Sequence, residues 1–378
     1  MNRLRVLTFG AAAMLIVSAC SSGGTTIPSA APATVSSAAP TTASSASSSS
    51  GIVTVVPSSA PSSAPSAAPC TGNKGTIALA MSAVNQVGLT LIQTDLQAAA
   101  KANCYTFVWT DGQADPSKEL SDAKDLIAKK PDLLILDPVD VSLDPVAKAA
   151  CTAGIPLMVV DRTIPTQPGT CTYIAEFAWN WVTVGQQIAD SVVNWATAKH
   201  GGNVNLVHIS GIASASPTID VETGETQIFG AHPGIKVIAT CDGQYQRDGG
   251  RTCMEDLLQR FPAGQIDGVL TDNDDMGLGA LDAIQAAGRT ELVGPIWAHD
   301  ATLPFLQEII DGTTYMSVRR PIGAGQQIIN TFQAYKAGQK VTPITFVPTT
   351  PYEASTPAGK AAVLARIQDL IKLGLTDN

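Results

Sequence analysis

From residue 75 onward, short apolar runs alternate with amphipathic stretches about a dozen residues long. The runs at 76–81, 105–109, 133–136 and 156–160 read as strands, and the segments at 89–102, 116–129 and 146–153 between them read as helices. The alternation then begins again. Helical patterns at 181–198, 217–229 and 249–261, and another from Met276, interleave with strand patterns at 204–209, 236–240, 268–271 and 295–298. Strands separated by helices imply right-handed βαβ units and parallel sheets. Two successive sets imply two doubly wound lobes. The 304 residues after position 74 suit two domains of ordinary size.

The first seventy residues break this pattern. Arg3 and Arg5, an apolar run at 6–17 and the small residues before Cys20 form a secretory signal over 1–20, too short for a membrane span. Residues 21–69 carry no charge and consist almost wholly of Ser, Ala, Thr, Pro and Gly. Such a stretch lacks the apolar bulk to offset its ordering entropy, so 21–74 reads as a disordered tether. Its reach as a flexible chain is about 40 Å.

Without the two signal arginines, 21 basic residues face 32 acidic ones, which argues against nucleic acid or anionic lipid as partners. Six cysteines remain once Cys20 is set aside, an even number in an exported chain, so disulfides are expected. Cys70 and Cys104 precede the first two strands, Cys151 and Cys171 flank the strand ending at Asp161, and Cys241 and Cys253 flank a turn. These positions favour Cys70–Cys104, Cys151–Cys171 and Cys241–Cys253 among the fifteen pairings that six cysteines allow. No C-x-x-C spacing occurs and the four histidines are scattered, so no metal site is expected. Gly277-Leu278-Gly279 lacks the third glycine of a dinucleotide loop, and there is no G-x-S-x-G elbow. Ser210, His208 and Asp161 make a poor triad. No enzyme activity and no cofactor are expected.

The most informative stretch is Thr271-Asp272-Asn273-Asp274-Asp275-Met276-Gly277-Leu278-Gly279-Ala280, at the carboxyl end of a strand, where open α/β sheets bind ligands. A calcium loop would need an oxygen ligand at Met276 and a Glu at Ala283, and has neither. The acidic run has a plainer alternative, a solvated helix cap and nothing more. Its order resembles the (T/A)-x-N-D-x-M-A-x-G-A turn of the ribose/galactose-type periplasmic sugar-binding proteins, and the resemblance makes Asn273 a direct sugar contact. Asp161-Arg162 follows a strand directly and is similar to the family's D-R pair, with a structural ion pair as the plainer reading. Asn85 and Gln86 follow the first strand, where the family carries N-P-F-F. Here Val87-Gly88-Leu89 replaces the aromatic pair. Tyr245 matches the family's aromatic from the other lobe, and Trp179 is either a substitute stacking surface or a core residue. Asp300 sits at the Asp of the family's G-F-D, and Arg319, two residues before Pro321, sits where Gln is common. The stretch Ile219-Asp220-Val221-Glu222 lacks the family's ligand-contacting Arg.

The resemblance implies a type I periplasmic binding fold, two lobes joined by three crossovers. Its N-terminal lobe would comprise 75–177 plus about 320–345 and its C-terminal lobe 178–319 plus about 346–378. It further implies a monomer that passes its ligand to an ABC importer permease, with Cys20, which resembles a lipobox cysteine, anchoring the chain by lipid to the outer face of the cell membrane. Asp161 and Asp300 balance Arg162 and Arg319, so the expected ligand is a small neutral polyol or monosaccharide. Ligand sensing for a receptor and, more remotely, a secreted hydrolase are the alternatives.

Overall fold

The computed structural model describes residues 70, 72–85, 87–319, 324–372 and 374. Cys20, Gln86 and the first sixty-nine residues lie outside them. The described chain forms two six-stranded sheets with helices on their faces. The first contains β1 (Thr76–Met81), β2 (Thr106–Asp111), β3 (Leu133–Asp137), β4 (Leu157–Asp161), β5 (Tyr173–Trp179) and β11 (Ile344–Val347). The second contains β6 (Val204–Ser210), β7 (Ile235–Asp242), β8 (Gly268–Thr271), β9 (Ile296–Asp300), β10 (Met316–Arg319) and β12 (Thr350–Glu353). Their orders, β11-β5-β4-β3-β1-β2 and β12-β10-β9-β8-β6-β7, are the same doubly wound order repeated. All pairings are parallel except β10 with β12.

The central strands β3, β4 and β5 are buried along their whole length and β1 from Ile77 onward, as parallel strands covered on both faces must be. The helices are α1 (Val87–Ala102), α2 (Pro116–Ala128), α3 (Pro145–Ala153), α4 (Trp181–His200), α5 (Ser216–Phe229), α6 (Arg247–Arg260), α7 (Asp274–Ala286), α8 (Leu303–Asp311), α9 (Ala324–Lys336) and α10 (Pro357–Lys372). Local chemistry fixes several of their starts. Asp115 caps α2 by accepting from the Ser117 amide at 2.8 Å, with Pro116 next in line. Asn180 caps α4 and Asn273 caps α7 in the same way.

β5, like β10, β11 and β12, has no counterpart among the predicted strands. A buried glutamate, Glu176, interrupts its apolar pattern, and the Tyr173 hydroxyl donates to it at 2.9 Å. Burial raises the Glu176 carboxyl above its ordinary range. The chain crosses between the sheets three times, at residue 180, between β10 and α9, and between β11 and β12. Disulfides join Cys70 to Cys104, Cys151 to Cys171 and Cys241 to Cys253. Among the described residues, no helix is long and apolar enough to cross a membrane.

Candidate functional site between the two sheets

In each sheet the order reverses at one place, β1/β3 in the first and β6/β8 in the second, and the carboxyl ends of those strands open a crevice. The two crevices face each other. On the first side, β4 ends in Asp161, buried and in left-handed backbone at φ 66°. The next residue, Arg162, is 1% exposed and faces the Asp161 carboxylate at 3.8 Å through Nε. Its Nη1 donates to the Val139 carbonyl at 3.2 Å. The loop after β3 is itself held by Glu119, whose carboxylate accepts the Val139 amide at 2.9 Å. Burial, and then Asp137, push the Glu119 carboxyl well above its ordinary range. The Arg162 guanidinium lies 5.3 Å over the ring of Tyr245, which belongs to the other lobe.

On the second side, Tyr245 is 2% exposed, with φ 59°, and its hydroxyl shares a 2.7 Å hydrogen bond with Thr218. Gly211 lies flat against this ring, and a Cβ there would overlap it. Asn273 Oδ1 accepts the Met276 amide at 2.9 Å, while Nδ2 donates to the Tyr245 carbonyl at 3.1 Å. The amide group therefore both caps α7 and ties it to Tyr245, leaving one N–H and one lone pair free of these duties. β9 ends in Asp300, whose φ of 119° makes it the third site residue in left-handed backbone. Strain of this kind collects at functional sites. Asp300 Oδ1 lies 3.1 Å from Nδ1 of His299. Arg319 ends β10, beside Asp300 in register, and its Nε is buried with no hydrogen-bond partner among the described residues.

Asp161, Arg162, Tyr245, Asn273, Asp300 and Arg319 thus gather at the facing strand ends. Two other candidates go elsewhere. Asn85 is exposed at the rim and donates to Gln246 of the opposite lobe at 3.0 Å. Trp179 is buried, lining one small cavity with Ile92 and Leu96 of α1 and Ile328 of α9, and its ring lies 6.2 Å from that of Trp181.

Several groups at the site escaped the sequence reading. Trp181, the first residue of α4, donates from Nε1 to the Asp161 carbonyl at 3.2 Å, and its ring lies 4.9 Å from that of His299. This side chain links the end of β4 in the first sheet to β9 in the second. Asp274, at the start of α7, accepts from the Thr302 amide at 2.7 Å and from the Ser317 hydroxyl at 2.6 Å. Burial, and then Asp300, raise its carboxyl well above the ordinary range. Arg366 of α10 is 3% exposed, and burial followed by the neighbouring Arg319 lowers it to about 10. The order His299-Asp300 was visible in the sequence. Nothing in it marked Arg366, which arrives from the far end of the chain.

Around the rim the lobes touch directly. Besides Asn85 and Gln246, Ser214 donates to Asp140 at 2.8 Å, and the Thr163 amide donates to Ser216 Oγ at 3.0 Å. Hydrogen bonds from Ser142 and Ser214 outweigh desolvation and hold the Asp140 carboxyl below its usual range. Among the described residues no cluster of three or more His, Cys, Asp or Glu side chains could hold a metal ion.

Two doubly wound sheets with ionised pairs and buried rings converging at their facing strand ends define a two-lobed α/β protein of the periplasmic binding type. The chain belongs to the periplasmic binding protein domain family, whose profile matches residues 77–340, and specifically to its ribose/galactose-type sugar-binding branch. Members of this family are solute-binding components of transporters rather than enzymes, and they work outside the cytoplasm. The chain is 34% identical to a xylitol-binding protein of Mycolicibacterium smegmatis, over 50% of this chain and 52% of that one. The match thus spans about half of that relative. It is 28% identical to the ribose import binding protein of Escherichia coli, over 71% of this chain and 87% of that one. A solved structure of a Mycobacterium smegmatis protein in complex with β-D-fucofuranose superposes with a TM-score of 0.72 at 27% identity, covering 79% of this chain and 96% of that one.

Proposed function

We propose that this chain is the extracytoplasmic solute-binding component of an ABC importer and captures a small neutral polyol or monosaccharide between its lobes. One observation carries the reading: carboxylate and guanidinium groups, Asp161 with Arg162 and Asp300 beside Arg319, end facing strands on the two sides of one crevice. Ionised groups make the stronger hydrogen bonds to hydroxyls, and Arg adds a fixed fork. The signs balance, so an anionic ligand would bring a charge with no spare partner, a costly burial. Relatives named for xylitol and for ribose import support the same ligand class.

The lobes divide close to the expected 177 and 345, with 75–179 and about 320–347 in the first and 180–319 and about 348–378 in the second, since β5 runs to Trp179 and β11 to Val347 in the first sheet. Ligand closes them about the three crossovers, and the permease recognises the closed, monomeric form. Cys20 carries the lipid that holds the chain to the membrane. Cys20→Ala therefore releases the protein or leaves it unprocessed, and wild type found wholly in the culture medium would defeat the anchor. The ligand is tested by thermal shift over pentoses, hexoses, alditols and their sugar acids. A ligand at a hundred times its dissociation constant adds about 2.7 kcal/mol. A sugar acid that binds much more tightly than its matching alditol would overturn the neutral-ligand reading.

A further inference from the structure

His299 is 1% exposed, and its two ring nitrogens have different surroundings. Nδ1 lies 3.1 Å from Asp300 Oδ1. Nε2 is buried and has no hydrogen-bond partner among the described residues. The ring is set 4.9 Å from Trp181, whose own Nε1 is bound to the Asp161 carbonyl of the opposite lobe. The imidazole therefore stands between the two halves of the crevice, one side chain from Asp161 and in contact with Asp300.

The chemistry of the ring then decides what Nε2 can do. A neutral imidazole carries one N–H and one lone pair, and the nitrogen that faces a carboxylate keeps the proton. With Nδ1–H donated to Asp300, Nε2 presents a lone pair. A buried acceptor left unmatched costs free energy comparable to a lost hydrogen bond. A flat apolar ring at this position would incur no such cost.

We propose that His299 is a specificity-determining residue: its Nε2 accepts a hydrogen bond from one hydroxyl of the bound ligand, while Trp181 and Asp300 fix the plane and tautomer of the ring. The assignment rests on the reading of this crevice as a sugar or polyol site. A ligand must present an O–H donor at that one position. An analogue that is deoxygenated or O-methylated there leaves the lone pair unmatched, and a carboxylate there meets it with another lone pair. Sites built to bond a substrate hydroxyl reject the analogue lacking it far more strongly than apolar pockets discriminate by shape.

The test is calorimetry on the full chain with xylitol and D-ribose, together with the 2-, 3- and 5-deoxy forms of D-ribose and their O-methyl counterparts. His299→Phe should weaken the binding probe at least tenfold, and His299→Gln, which restores an acceptor, should recover most of the loss. For the analogue modified at the contacted position, His299→Phe should change affinity less than twofold. The ligand-free melting temperatures of both variants serve as the control for folding. An equal loss for every analogue, or an unchanged affinity in His299→Phe, would overturn the assignment while leaving the sugar site standing. A wild type that binds none of these probes would overturn the ligand class, and the assignment with it.

Discussion

Nε2 of His208 lies 2.8 Å from Asp272 Oδ1, with both side chains buried in the second lobe. The other carboxylate oxygen of Asp272 accepts the Gly211 amide at 2.8 Å. One carboxylate therefore ties the ends of β6 and β8 together just beneath Asn273 and Tyr245. Burial disfavours the charged imidazole, but Asp272, Glu225 and Glu222 outweigh it and raise His208 to about 9. Burial raises Glu225 to about 8 against the opposing pull of His208.

Both shifts act on stability in one direction. A histidine raised from about 6.5 contributes fully below that value, and the contribution is lost as pH climbs through about 9. The raised Glu225 keeps a proton in the folded state that the unfolded chain gives up from about 4.5, so stability falls further as pH rises toward about 8. For His208 the effect is on the order of 3 kcal/mol. Denaturant unfolding of wild type should show falling stability from pH 6 to 9.5. His208→Gln should be weaker at pH 6 and lose the His208 share of the decline, keeping only the shallower fall that the raised Glu225 imposes. If the variant keeps the wild-type slope, the His208 account is wrong.

Asp161 and Asp300 should each matter for capture. A hydrogen bond to a charged group contributes roughly 1.5–3 kcal/mol, so Asp161→Ala or Asp300→Ala should weaken binding at least tenfold. Calorimetry with the best ligand of the thermal-shift panel checks it, and a tight ligand indifferent to both substitutions would sink the placement of the site.

The rim contacts should act on the closed population rather than on the ligand. Asn85–Gln246 is a neutral hydrogen bond, about 1 kcal/mol, and Ser214–Asp140 ends on a charged carboxylate, about 1.5–3 kcal/mol. Removing both should cost at least about thirtyfold in affinity, at about 1.4 kcal/mol per tenfold. Stopped-flow measurements of Asn85→Ala/Ser214→Ala should show faster ligand release with little change in the association rate. A loss confined to association would contradict this.

Gly211 has no space for a side chain, because the Tyr245 ring lies against its Cα. Gly211→Ala must therefore push that ring away from Thr218 and from beneath Arg162. Overpacking of this kind costs about 1–3 kcal/mol, to be read as a lower unfolding midpoint together with weaker ligand binding. A variant of wild-type stability and affinity would show that the ring moves without consequence.

Much of the fold was legible because parallel strands buried on both faces read as apolar runs, and helices between them read as amphipathic ones. β5 was not, since Glu176 takes a core position whose hydrogen bond to Tyr173 cannot be seen in one dimension. The strand-end motifs located Asp161, Arg162, Asn273 and Asp300, since a strand followed by a polar turn is a local signal. Trp179 and Trp181 differ by two positions and look alike on paper. The crossover at residue 180 leaves the first at the end of β5 and starts α4 with the second, which reaches the Asp161 carbonyl and the His299 ring. Arg366 depended on how α10 docks, and sequence spacing holds no information on that.

The edge strands β11 and β12 are separated by only Pro348 and Thr349, yet they complete different sheets, β11 alongside β5 and β12 alongside β10. Neither half is therefore a contiguous stretch of the reading frame. A stop codon near position 340 would strip the margins of both at once, along with Arg366, and leave the backbones of β5 and β10 open to other chains. Fragments cut at residue 180 would be incomplete on the amino side. A split reporter placed at this boundary should reassemble only when the carboxyl fragment lends its strand back across the cut.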